Sequence, residues 1–260
     1  MSVLDLPPGT IEAAGLYGAR CGALIVGAPL FGAPTGFMTW RAAFISLVAV
    51  GLYAAQGTPL ATQPGPLEYA LLMLREVALG LVLSFALHGA LLAVRAAGEL
   101  ITQEIGLGYA GLVDPMSGSS TSSVTLLHEI FFYLGLFLTD GHHALLRALA
   151  VSFEGLPVGD VSFARGAADA AVALLGPMLA AGIAFAAPIL GLLFSTSMLV
   201  ALLGRAVPQL NVLEIGFTLR TTIGLLALFL FAPAMAPALN GIYLALQDGL
   251  ASSIHTLATT

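Results

Sequence analysis

Apolar residues along this chain gather into six long blocks, roughly 10–32, 37–56, 67–105, 124–151, 167–204 and 212–248. Each exceeds strand length and none alternates strictly, which predicts helices. A membrane β-barrel would show alternating segments of about ten residues, and these are absent. The breaks carry their own chemistry. Gly32, Pro34 and Gly36 separate the first two blocks, and GTPLATQPGP (57–66) is too proline-rich for a helix to cross. GLGYAGLVDPMSGSSTSS (106–123), GLPVGD (155–160) and VPQLN (207–211) divide the rest. The fifth block is uncharged from Ala170 to Gly204, which suits one long helix kinked at Pro177 or Pro188, or a hairpin of two short ones. About 20 apolar residues cross a hydrocarbon core. The pattern predicts an all-α, multi-helix integral membrane protein with long kinked helices and helical hairpins. It shows no repeat of fixed period, and 1–260 reads as a single domain.

Polar positions inside the blocks are ordered. In 67–105 the window Val77–Val94 is rich in Leu, Val and Phe, worth very roughly −3 to −6 kcal/mol of insertion, while one central charge costs about 2.5 to 3.5. The window inserts because Arg75, Glu76 and Arg95 lie outside it, and His88 remains to be accommodated. At 100° per residue, Ser84, His88, Arg95, Glu99 and Thr102 fall within about 40° of one line. Arg95 and Glu99, spaced i,i+4, are expected to pair. The stripe is either buried against neighbouring helices or lines a wet cavity. Glu214, Thr218 and Thr221 form a shorter stripe with the same two readings.

Composition sharpens the class. Charged residues make up 8% and hydrophobic ones 58%, with a mean hydropathy of +0.99; soluble domains carry about 25% charge. Most of the surface must therefore face lipid or other protein. The 8 cations are all arginine and the net charge is −6, which excludes nucleic-acid binding. Cys21 is the only cysteine, so there is no internal disulfide. Met1–Thr10 lacks a basic start, so no cleavable signal peptide is expected.

Enzyme chemistry is missing. His128-Glu129 opens like a zinc-protease HExxH, but position 132 is Phe. The adjacent His142 and His143 should point to different sides of a helix and share no metal. The serine-rich run has no GxSxG frame, and GLGYAG lacks the strand–turn–helix setting of a nucleotide site. Gly18 and Gly22 form a GxxxG, a sign of close helix packing. No cofactor is expected.

Several stretches together resemble one family. REVALGLVLSF (75–85) is followed by GE (98–99), IGLGYAGLVDP (105–115), DGHHALLRALAVSFEGLPVG (140–159) and RAVPQLNVLEIGFTLR (205–220). In order and spacing these are similar to the FliR/SctT family of type III secretion export-apparatus proteins, and the GHH and LPVG pieces look flagellar. Where the family commonly reads GFPLK, this chain has GFTLR. Arg220 keeps the charge, and Thr218 removes the proline that would bend the helix.

The resemblance implies a non-enzymatic subunit of the flagellar export gate, joined to FliP and FliQ with FlhB and FlhA as neighbours, in the inner membrane at the flagellar basal body. It implies a passage for unfolded flagellar subunits and helices covered by sister subunits and membrane lipid. It also implies that 106–123 is a plug. The residues suit that role: Gly106, Gly108, Gly111 and Gly118 bend at low steric cost, Leu112 and Met116 offer soft apolar surface, and Asp114-Pro115 starts a turn. An ordinary exposed loop would read the same. Arg75, Glu76, His88, Arg95, Glu99, Arg205, Gln209, Glu214 and Arg220 are expected to hold contacts between helices or subunits, because an unpartnered buried charge is costly. The alternative is a small-solute secondary transporter built around a midplane pair such as His88 and Glu214.

Overall fold

A computed structural model of the chain describes residues 7–31, 38–107, 122–159, 167–207, 209 and 211–259. Seven α-helices and one short 3-10 turn, Pro29–Phe31, make up the regular structure of the described residues. The helices are α1 (Thr10–Gly27), α2 (Met38–Gln56), α3 (Pro66–Ile105), α4 (Ser123–Leu138), α5 (Gly141–Gly155), α6 (Ala167–Ala206) and α7 (Val212–Thr259). The all-helical expectation holds. One block splits, and the last helix runs beyond its block, to Thr259. The block 124–151 is two helices, α4 and α5, because Asp140 takes a left-handed conformation (φ 54°) that no helix continues through. The fifth block is one helix, not a hairpin, and runs unbroken through Pro177 and Pro188.

Local chemistry sets the ends. Gly9, at φ 84°, precedes α1, and its carbonyl accepts from Leu60 N–H at 3.3 Å, pinning the 57–65 connection to the start of α1. Pro66 opens α3 at the position where a missing N–H costs nothing. Glu68 reaches back to Gly65 N–H at 3.3 Å. Gly106, at φ 90°, closes α3.

The chain gathers into two compact units: Met1–His88 with Gly141–Leu175 and Leu246–Thr260, and Gly89–Asp140 with Gly176–Ala245. Helices α3, α6 and α7 contribute to both. In the first unit α1 buries Ala13, Leu16, Tyr17, Cys21 and Leu24, the 3.6-residue spacing of one helix face. Its core is completed by Leu72, Leu79 and Leu83 of α3 and by Leu145, Leu149 and Phe153 of α5. Gly80 lets α1 and α3 touch backbone to backbone, since a Cβ there would collide with Arg20 O. In the second unit α3 buries Leu91, Val94, Ile101 and Ile105; α4 buries Val124, His128, Phe132 and Leu136; and α6 buries Phe185, Ile189 and Leu193. Gly182 makes the equivalent close approach to Ala93 of α3.

Among the described residues, three helices are long and apolar enough to cross a membrane: Pro66–Ile105, Gly182–Ala206 and Glu214–Phe231. They differ in cover. The apolar window is 61% buried within the chain in the first, 28% in the second and 17% in the third.

Candidate functional site

The first polar centre lies wholly inside the first unit. Arg20, in the middle of apolar α1, is fully buried. Its Nε donates to Glu76 Oε2 at 2.7 Å and its Nη2 lies 2.6 Å from the same oxygen. Nη1 donates to Ser152 O at 2.8 Å and to Ser152 Oγ at 3.2 Å, and Nη2 also reaches Leu156 O at 2.9 Å. A guanidinium has five N–H groups, and each of these contacts takes one. The Ser152 and Leu156 carbonyls belong to the C-terminal end of α5, where a cation meets the negative end of the helix dipole. Arg75 Nη1 donates to Glu76 Oε1 at 3.0 Å and to Pro157 O at 3.1 Å. The Arg20 guanidinium lies 4.2 Å above the Phe153 ring, which stacks at 4.1 Å on Tyr17. Glu76 is thus the anion between two cations that bind α1 and α3 to the α5 terminus. Beside it, burial pushes the Cys21 thiol up to about 12, which makes it inert.

The second centre lies inside the second unit. Arg95 does not pair with Glu99, as its spacing suggested. It grips Glu129 of α4 through Nε at 2.7 Å and Nη2 at 3.1 Å, a two-point bond that beats the i,i+4 contact in geometry. Glu99 instead accepts from Thr125 Oγ1 at 3.3 Å. The neighbouring His128 is fully buried, with Nδ1 at 2.7 Å from Val124 O and its ring edge-on to Phe185 at 5.5 Å. Both members of the truncated zinc motif therefore pack the α3–α4–α6 contact.

At the end of α3, Thr102 Oγ1 lies 2.7 Å from Ser122 Oγ, which caps α4 by accepting from Thr125 N–H at 3.1 Å. Thr221 of α7 donates to Ile105 O at 3.0 Å, and Phe217 packs against Gly106. Of the predicted plug residues, Gly106 is described; Gly108, Gly111, Leu112, Asp114, Pro115, Met116 and Gly118 lie outside the described residues.

The remaining predicted contacts divide. Ser84 is buried and donates to Leu81 O at 2.9 Å, while His88 is exposed and Arg95 keeps half its side chain in the open, so the α3 stripe is neither all buried nor all wet. Glu214 is exposed and works locally: Asn211 Nδ2 donates to Glu214 Oε2 at 3.1 Å and Glu214 N–H to Asn211 Oδ1 at 3.5 Å, a reciprocal cap at the start of α7. Arg205 and Gln209 are exposed, and Arg220 is half-buried with an Nε that makes no hydrogen bond among the described residues. The rings of His142 and His143, expected to diverge, approach to 4.1 Å.

Sequence reasoning passed over Arg20, Ser152, Phe153, Thr125, Ser122 and Glu129. Arg20 had a signal: it is a lone cation inside an 18-residue apolar helix, which must find an anion. Glu129 had none, because its partner stands on another helix.

Residues 11–246 match the model of one family, bacterial export proteins, family 1. The chain is 31% identical over 215 residues to flagellar biosynthetic protein FliR of Pectobacterium carotovorum subsp. carotovorum, covering 82% of each. It is 31% identical over 187 residues to the Escherichia coli (strain K12) protein of that name, 72% of this chain and 71% of the other. Against the Bacillus subtilis (strain 168) protein of that name, identity is 26% over 234 residues, 87% of each. With its apolar all-helical fold and a match that spans nearly its whole length, the chain belongs to family 1 of the bacterial export proteins.

Proposed function

We propose that the chain is a non-enzymatic subunit of the flagellar type III export gate, acting as one domain in the bacterial inner membrane at the flagellar basal body. It joins FliP and FliQ to enclose a passage for unfolded flagellar subunits, with FlhB and FlhA beside it and residues 106–123 as the plug. Family membership supports the export role. The observation that carries the assembly role is the outward apolar surface of α6 and α7, where windows of membrane length are only 28% and 17% buried by the chain itself. Such surface must be covered by lipid or by other subunits. The polar groups that could do chemistry instead hold helices together: Arg20, Arg75 and Glu76 in one centre, Arg95 and Glu129 in the other.

A tagged chain pulled from detergent-solubilised membrane tests this. Apolar sister subunits should come down with it in fixed proportion, giving a particle several times the chain's 26.5 kDa. Recovery as a lone monomer that binds a small solute would overturn it.

A further inference from the structure

Residues 140–143 read Asp-Gly-His-His. Side chains of adjacent residues on a regular helix point about 100° apart, which is why His142 and His143 are expected to diverge. They converge instead: the ring centroids approach to 4.1 Å with the planes tilted by 36°. The convergence falls at the start of α5, where Asp140 stands in the left-handed region at φ 54° and Gly141 opens the helix directly after it. The turn brings the Asp140 carboxylate to the two rings. One ligand-type atom from each of Asp140, His142 and His143 lies within 4.8 Å of the other two, the only such group of three among the described residues. All three sit in one four-residue turn, so the local chain sets their geometry. Asp140 and His143 are exposed and His142 is half-buried, which leaves the group open to ions from solvent.

Two imidazole nitrogens and a carboxylate oxygen suit zinc and its neighbours cobalt and nickel. They suit magnesium and calcium poorly, because those ions take oxygen ligands. Ligand atoms stand about 2.0–2.2 Å from zinc, hence up to about 4.4 Å from one another. Separations of up to 4.8 Å close to that by small rotations of solvent-accessible side chains. The N-terminal end of a helix dipole opposes a cation, and the carboxylate beside it offsets this. We infer that Asp140, His142 and His143 form a binding site for one divalent ion of the zinc class, with the remaining coordination position taken by water. The bound ion holds Asp140 in its left-handed turn, a conformation that is costly for a non-glycine residue.

Cobalt(II) is the probe, added to the full chain as it comes from detergent-solubilised membrane, purified without a histidine tag and stripped with a chelator. Wild type should bind one more cobalt ion per chain than a triple variant carrying Asp140→Asn, His142→Gln and His143→Gln, and zinc should displace that ion. Each of the three single variants should weaken binding about tenfold or more, because even loss of a group behind a metal ligand costs roughly 10- to 100-fold. Glu154→Gln, at an exposed site near the other end of α5, should bind like wild type. Affinity should fall as pH is lowered, since protons and metal compete for the same ring nitrogens. Zinc should raise the melting midpoint of the wild-type chain by mass action and leave that of the triple variant unmoved. A second measurement needs no substitution: zinc should shield His142 and His143 of the wild-type chain from carbethoxylation by diethyl pyrocarbonate, read by peptide mass. Wild type that takes up no more cobalt than the triple variant would overturn the site, as would an unchanged affinity in any one of the three single variants. Equal carbethoxylation of the two histidines with and without zinc would overturn it as well.

Discussion

Glu76 has no solvent to fall back on: its side chain and that of Arg20 are both 0% exposed. Replacing Glu76 by Gln keeps the shape and leaves two guanidinium groups facing a neutral amide, at a cost of about 3–5 kcal/mol for a broken buried pair. Arg20→Lys is the finer test. Lysine keeps the charge but offers three donors from a single point, and cannot reach Glu76, Ser152 and Leu156 together. We expect Arg20→Lys to lower the melting midpoint of the purified protein clearly, and Arg147→Lys at an exposed site of α5 to leave it unchanged. Equal midpoints would show that the guanidinium contacts do not hold α5. At this scale the sequence was partly legible. The cost of an unpaired buried charge pointed to Arg75, Glu76 and Arg95 as contact residues, but not to their partners. Helical spacing places Arg95 near Glu99 along one helix, and it carries nothing about Glu129 standing opposite on another.

Element by element, close contacts fall where glycine is required by a neighbour, not where glycines are regularly spaced. Gly18 and Gly22 have the spacing of a packing motif, yet a Cβ on Gly18 meets nothing within 4 Å and one on Gly22 only ordinary contact, 3.7 Å from Ile45. Gly80 lies against the α1 backbone, where a Cβ would overlap Arg20 O and sit 2.7 Å from Ala23 Cβ. Gly80→Ala should therefore separate α1 from α3 and cost about 1–3 kcal/mol, the usual penalty of overpacking. Gly18→Ala should stabilise α1 by up to about 1 kcal/mol, because alanine loses less backbone freedom in a helix. Denaturant titration of the two variants side by side checks the sign. Two shifts in the same direction would mean that the α1–α3 contact is not set at Gly80. Proline and glycine punctuation located most helix ends in the sequence. It missed the break at Asp140, where the chain turns on a non-glycine residue at φ 54°, and it could not decide between a long α6 and a hairpin, because periodicity is the same in both.

At the scale of the whole molecule the decisive quantity is uncovered apolar surface. Phe194, Met198 and Leu202 stand at i, i+4 and i+8 on α6, with exposures of 63%, 58% and 63%. On α7, Leu226, Phe229 and Leu230 form a comparable outward strip. Composition alone foretold this surface, since 8% charged residues cannot coat a protein of this size. It could not say which helices would carry it, because α3 is as apolar as the others and turns out to be mostly covered by the chain's own side chains. The strips give a direct test of what covers them. Phe194→Glu places a charge on α6 without touching either polar centre. If lipid or a sister subunit covers that face, burying the carboxylate there costs on the order of 2.5–3.5 kcal/mol, the insertion penalty of a charge at mid-membrane, and the partners should be lost from the pull-down. Gln63→Glu, at an exposed position in the 57–65 connection, introduces the same charge where no cover is required and should co-purify normally. If Phe194→Glu retained its partners as well as Gln63→Glu does, the α6 face would be open to water in the assembled state, and its long apolar strip would have no physical explanation in a gate built of packed subunits.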